Sequence, residues 1–129
     1  TNTDSPFLSR IIDGDFFAQE HSEEQDYILV IRHCLSHTDE TYDETLSEGL
    51  TRMLRKYPQK IEGLRKASKR LSPRQKEKAN YEMMVLIVSA WMMEQDSDSI
   101  DPKDFYHTYP FFKKCSMIDK ILMEQCNNL

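Results

Sequence analysis

The sequence predicts an all-α fold: one domain over residues 1–129, with six or seven helices in an irregular bundle or a short stack of helical hairpins. Only three glycines occur in 129 residues, fewer than the turns of an all-β domain of this length require. Apolar residues recur at spacings of three and four, and no segment alternates apolar and polar residues over the length of a strand. Proline placement is the third indication.

Each of the five prolines fits the first turn of a helix, where its missing N–H costs nothing and its fixed φ is already helical. Three follow good N-cap residues, and the other two follow a tyrosine that must leave the helical region. We therefore expect helix boundaries at Ser5-Pro6, Tyr57-Pro58, Ser72-Pro73, Asp101-Pro102 and Tyr109-Pro110.

The helices are predicted between these marks. In the first, Gly14 indicates a kink or a break. The second begins at Ser22, with Gln25 completing a capping box. The predicted segments are 6–20, a second from 22, 40–57, 58–71, 73–95, a short turn at 102–107, and 110–126.

The fifth helix, at about 73–95, is predicted to be the central one. From Met83 to Met93 it is apolar on all sides apart from Ser89, which is typical of a helix that neighbours surround. Its methionines could line an adaptable binding groove, but on so apolar a helix we expect them in the core.

Charge is segregated along the chain. Residues 52–78 hold eleven of the 17 Lys and Arg against two Glu, whereas the flanking segments are acidic and the net charge is −5. Such segregation concerns partners and association rather than fold. On the fourth helix, helical spacing places four cations opposite the apolar stripe, and two more lie at the start of the fifth helix. These six are the candidate binding residues of the basic face at 60–76: Arg65, Lys66, Lys69, Arg70, Arg74 and Lys76.

Four interpretations of this basic face remain open. Carboxylates of the chain itself could neutralise it, which Arg74 and Lys76 suggest because the start of a helix disfavours cations. An acidic protein partner is the second, and nucleic acid or a phosphate ligand the third. Nucleic acid is disfavoured, since no aromatic residue lies between Tyr57 and Tyr81 and the pI is 5.3. An anionic membrane surface is the fourth, but the face has no Trp or Phe to insert.

Two histidines are weak candidates for a metal site. His33 and His37 are four residues apart on the second helix, a spacing that can place two imidazoles on one ion. No third ligand follows from the spacing, so we expect exposed surface histidines and no metal. The sequence shows no catalytic triad and no glycine-rich phosphate loop, and therefore predicts no cofactor.

Three cysteines leave at least one thiol unpaired. We expect Cys34, Cys115 and Cys126 to be small apolar residues; a disulfide from Cys34 to one of the others is the alternative and would indicate export. No window approaches the about 18 apolar residues of a membrane span, and no signal peptide is visible. A start at Thr1 fits either a cytoplasmic protein or one exported after processing, so the compartment stays open, as does the oligomeric state.

The sequence therefore predicts a small acidic helical protein-binding module without enzymatic activity, of the inhibitor, immunity or adaptor type. The acidic N-terminal part could equally meet a basic partner. The alternative is nucleic-acid or phosphate-ligand binding through the basic face of residues 60–76.

Overall fold

The computed structural model describes residues 5–36, 42–95 and 100–127. This part of the chain is an all-α bundle with seven helices and no strand, as the sequence predicts. The helices are α1 (Ser5–Phe7, continued by a π-helical turn at Leu8–Ile12), α2 (Glu24–Ser36), α3 (Asp43–Lys56), α4 (Ile61–Ser68), α5 (Pro73–Met93), α6 (Pro102–Thr108) and α7 (Ser116–Asn127).

Helix α5 occupies the centre, packing against α2, α3, α4 and α7. Its buried side chains include Met83, Ile87 and Trp91. Trp91 meets Phe105 of α6 edge to face, with ring centroids 5.4 Å apart. The prediction of a central fifth helix is confirmed, because an element that is apolar on several sides is stable only when several neighbours cover it.

Two predicted caps are confirmed. Ser72 begins α5 with a capping box: its hydroxyl accepts from the Gln75 N–H at 3.3 Å, and its own N–H donates to Gln75 Oε1 at 3.4 Å. Asp101 begins α6 by accepting from the Lys103 N–H at 3.0 Å. Both caps satisfy N–H groups that the first turn of a helix leaves unpaired.

The two Tyr-Pro junctions have almost the same backbone. Tyr57 has φ −130° and ψ 68°, Tyr109 has φ −126° and ψ 70°, and each ends a helix. A 3₁₀ turn follows in both cases, at Pro58–Lys60 and Pro110–Phe112. The helices predicted from 58 and from 110 are therefore shorter than expected, since α4 begins only at Ile61 and α7 only at Ser116.

The first two helices also depart from the prediction. The helix expected over 6–20 ends at Ile12, and bends and turns follow through Gly14. The next helix begins at Glu24 rather than Ser22, and the two residues of the predicted capping box have other partners: the Ser22 hydroxyl accepts from Lys60 at 2.8 Å and Gln25 Oε1 accepts from Arg10 at 3.1 Å. The predicted start of the third helix at 40 lies outside the described residues.

Candidate binding surface

The six candidate cations lie at the end of α4, in the turn that follows it and at the start of α5; five of them are exposed, while Lys76 is half-buried. Two are neutralised within the chain. Arg65 Nη1 donates to Glu62 Oε1 at 2.7 Å, one turn earlier on α4. Arg70 forms a hydrogen-bonded ion pair with Glu24 of α2. Folding therefore brings part of the basic segment onto the acidic one.

The remaining four cations form what we call the cationic surface: Lys66, Lys69, Arg74 and Lys76. Within residues 5–36, 42–95 and 100–127, none of them forms an ion pair. The internal neutralisation that Arg74 and Lys76 suggest at the start of α5 is thus not provided by any described carboxylate. Lys66, Lys69 and Arg74 are exposed at the α4–α5 corner.

Lys60 does not belong to this face, although the predicted basic face runs from 60 to 76. Its side chain is buried, at 2 % exposure, and its ammonium donates to the Phe16 carbonyl at 2.5 Å, the Gln19 carbonyl at 2.7 Å and the Ser22 hydroxyl at 2.8 Å. Burial lowers the pKa of Lys60 to about 8, and three acceptors satisfy the three donors of a protonated amine.

The spacing could have revealed this position. Lys60 is four residues before Leu64 and seven before Ala67, both buried, so it continues the apolar stripe of the following helix. A lysine on a stripe of this kind can bury its stem and must find acceptors for its ammonium group.

The N-terminal acids are partly engaged by Arg10. Its guanidinium donates to Asp26 Oδ1 at 2.8 Å, Gln25 Oε1 at 3.1 Å and Glu23 Oε2 at 3.1 Å. The hydrogen bond to Asp26 is the main cause that raises the pKa of Arg10. These contacts fix α1 on the first turn of α2.

The expectation of an exposed His33 is wrong. Its ring stacks on Phe7 with centroids 4.2 Å apart, its side chain is only 8 % exposed, and Nε2 lies 3.4 Å from Asp43 Oδ1 of α3. His37, the other metal candidate, lies outside the described residues. Among the residues that are described, no group of three or more His, Cys, Asp or Glu is placed to hold a metal ion.

All three cysteines are unpaired in the structure. Cys34 is fully buried in α2, and burial raises the pKa of its thiol to about 12. Cys115 and Cys126 are half-buried. The expectation of small apolar cysteines is confirmed for Cys34, the most enclosed of the three.

A concave pocket adjoins the cationic surface, between the first turns of α5 and α7. It has a volume of about 550 Å³, and we call it the α5–α7 pocket. Its lining residues are Arg74, Glu77, Lys78, Tyr81, Ser116, Met117 and Lys120. Arg74 belongs to both the pocket and the cationic surface, whereas Lys78 and Lys120 extend the positive charge beyond the predicted face.

A second concave region, the α3–α5 groove, has the opposite charge. Its volume is about 710 Å³, its apolar side chains are Leu86, Ala90 and Met93 of α5, and its polar lining is Asp43, Glu44, Ser47, Glu48, Arg52, Ser89 and Glu94. Met93 is 81 % exposed there, so the expectation that it lies in the core is wrong, while Met83 is buried as expected. Arg52 pairs with Glu48 at 3.6 Å and Arg55 pairs with Glu94, which leaves Glu44 as an exposed acid of the rim.

Across the described ranges, no helix combines the length and the apolar character that crossing a membrane requires. Comparison of the chain with protein-family models, with curated proteins and with solved structures finds no match.

Proposed function

We propose that the protein is a small non-enzymatic binding module, of the inhibitor, immunity or adaptor type, that meets an anionic protein partner through its cationic surface. The observation that carries the proposal is the exposure of Lys66, Lys69 and Arg74 without an ion pair to any described residue. Clustered charges without counter-charges create a field that steers an oppositely charged partner and raises its association rate.

The environments of two reactive side chains support a non-enzymatic role. Cys34 is enclosed in the core with a pKa of about 12, so its reactive thiolate is not formed at neutral pH. His33 is packed face to face on Phe7. Both side chains contribute to packing, which is the commoner use of such residues inside a helical bundle.

A protein partner is favoured over nucleic acid because the fold removes cations from the face. Lys60 is buried, and Arg65 and Arg70 are paired within the chain. Nucleic-acid binding generally relies on an extended row of cations along the phosphate backbone. The cations that remain lie near one corner of an acidic protein, an arrangement that suits a compact acidic patch better.

The test is charge reversal at the three exposed cations of the cationic surface, Lys66→Glu, Lys69→Glu and Arg74→Glu; the double reversal Lys113→Glu and Lys114→Glu is the control for added negative charge elsewhere. Lys113 and Lys114 are exposed and form no ion pair with the described residues. Arg65 and Arg70 are left unchanged because reversal there would also break contacts within the fold.

Proteins captured from native lysate by the wild type would be identified, and their association rates measured at 50 and 300 mM salt. We expect the triple variant to slow association roughly tenfold or more at low salt and to flatten its salt dependence, while the control stays near the wild type. An association rate that the triple variant leaves unchanged, but that Glu44→Lys reduces, would contradict the proposal and indicate a basic partner in the α3–α5 groove.

A further inference from the structure

The α5–α7 pocket concentrates hydrogen-bond donors. Arg74 and Lys78 are four residues apart on α5 and so lie on one face, a turn apart, and Lys120 faces them from α7. The hydroxyl of Ser116 adds a donor beside Lys120, since these two are also four residues apart. Glu77 is the one carboxylate in the lining, so the cations outnumber it by three to one.

The backbone at this end of α7 adds to the positive character. Ser116 is the first residue of a 12-residue helix, and the first N–H groups of a helix have no partner within it and carry partial positive charge. The acid of this first turn, Asp119, is not part of the pocket lining, and it accepts a hydrogen bond from the Tyr106 hydroxyl on α6.

The Tyr81 hydroxyl, a further polar group of the lining, has a partner outside the pocket. Tyr81 donates from its hydroxyl to Glu124 Oε2 at 3.3 Å. The lining groups that remain are the Glu77 carboxylate, the guanidinium, two ammonium groups and a hydroxyl, and none of the three cations is paired with a described carboxylate. Arg74 also lies in the first turn of α5, where the helix dipole disfavours a cation unless an anion is close.

We propose that the α5–α7 pocket binds a phosphate group, with Arg74, Lys78 and Lys120 as its charged ligands and Ser116 as a neutral donor. A phosphate monoester carries about −1.5 to −2 charge at pH 7 and has three strong acceptor oxygens, so it can accept from donors on two helices at once. A carboxylate has one charge and two oxygens and satisfies fewer of them. The inference goes beyond the proposed function, because it needs Lys78 and Lys120 and requires no protein partner.

The test is an NMR titration of the amide signals of the full chain at constant ionic strength. Four probes would be compared: inorganic phosphate, and three five-residue alanine peptides with a central phosphoserine, glutamate or serine. We expect saturable shifts at 116–120 and 74–78 with both phosphate probes, and binding of the glutamate and serine peptides at least about tenfold weaker. A higher affinity for the phosphoserine peptide than for inorganic phosphate would indicate that the natural ligand is a phosphorylated side chain. Equal affinities for the two probes would indicate that it is free phosphate.

The variant Lys78→Gln/Lys120→Gln should weaken phosphate binding by about tenfold or more, with Lys113→Gln/Lys114→Gln as the matched control. All four lysines are exposed, so in both variants the amide signals of the core residues should stay at their wild-type positions. Equal binding of the glutamate and phosphoserine peptides would overturn the inference, as would equal losses in the two double variants. Neither result would bear on the cationic surface, which the triple charge reversal tests separately.

Discussion

The ammonium group of Lys60 holds the segment between α1 and α2 in place. Its three acceptors come from residues 16, 19 and 22, a stretch that forms bends and turns rather than the predicted helix. The amine also lies 4.6 Å from the centre of the Phe16 ring, a distance at which a cation is attracted to an aromatic face. One buried side chain thus supplies the bonds that an irregular segment lacks.

Replacing Lys60 should therefore destabilise the protein strongly. In Lys60→Met the stem is kept but three buried or half-buried acceptors lose their donor, and we expect a loss of roughly 2–4 kcal/mol in the free energy of unfolding. Lys66→Met, at an exposed position of α4, should change it by less than about 0.5 kcal/mol. Urea unfolding followed by circular dichroism measures both, and similar values for the two variants would mean that the ammonium contacts contribute little.

Two glycines inside helices determine how closely neighbouring elements pack. A Cβ atom at Gly63 of α4 would lie about 2.5 Å from Cε2 of Tyr27 on α2, and one at Gly49 of α3 would lie 2.6 Å from the Phe17 ring. Glycine in a helix costs about 1 kcal/mol relative to alanine. Here the cost is offset by an aromatic ring lying directly on the backbone.

Gly63→Ala should accordingly destabilise the protein despite the higher helix propensity of alanine. We expect a net loss of about 1–3 kcal/mol, because the Tyr27 ring must move out of its packing position. The exposed neighbour Lys66→Ala provides the comparison, since it changes helix propensity little and touches no ring. Thermal unfolding would show the difference, and a Gly63→Ala protein that is more stable than the wild type would rule out this account of the α2–α4 contact.

Helix ends at prolines could be predicted from the sequence, whereas the form of the chain after them could not. Tyr57 and Tyr109 end α3 and α6 as expected because the residue before proline is excluded from the helical region. The 3₁₀ turns that follow depend on tertiary contacts: one delivers Lys60 into the interior, and the other places Phe112 against Phe105. Residues 113–115 contain no proline or glycine, so the sequence does not indicate that the last helix begins only after them.

At the scale of the whole molecule, folding pairs some of the segregated charges and leaves others exposed. The pairs Arg70–Glu24 and Arg10–Glu23 join basic and acidic residues across elements, while the cationic surface and the rim of the α3–α5 groove stay outside. The exposure of Arg65 and Lys66 on α4 could be predicted from the spacing of the apolar residues. Lys78 and Lys120 could not be predicted in this way, because the pocket that unites them with Arg74 exists only when α7 packs on α5.

The buried thiol of Cys34 should make the stability of the fold depend on pH in the alkaline range. The pKa of Cys34 is about 12 in the folded chain and about 8.5 when exposed, so above pH 9 the unfolded chain loses a proton that the folded chain keeps. The contribution of this thiol to stability is therefore full below about pH 8.5 and falls as the pH rises toward 12, whereas the lowered pKa of Lys60, about 8, acts in the opposite direction between pH 8 and about 10.4. Burial also raises the pKa values of Tyr27 and Tyr109, which adds to the loss above pH 10.

The contribution of the thiol can be separated by Cys34→Ala. Between pH 8.5 and 10.5 we expect the wild type to lose about 2 kcal/mol more unfolding free energy than this variant, although the variant is less stable at pH 8 because of the cavity. Cys115→Ala keeps Cys34 and should retain the steep decline. Urea unfolding at a series of pH values would measure the slopes, and parallel slopes for the wild type and Cys34→Ala would exclude the thiol as the cause.

The enclosure of Cys34 has a further consequence for observing the protein at work. A bulky thiol reagent can reach this sulfur only when α2 separates from its neighbours, whereas Cys115 and Cys126 are half open to solvent. With the two outer cysteines replaced, the alkylation rate at Cys34 would report how often the bundle opens. A bound partner that stabilises the helices would slow the alkylation of Cys34, and the measurement would need no label on the binding surface.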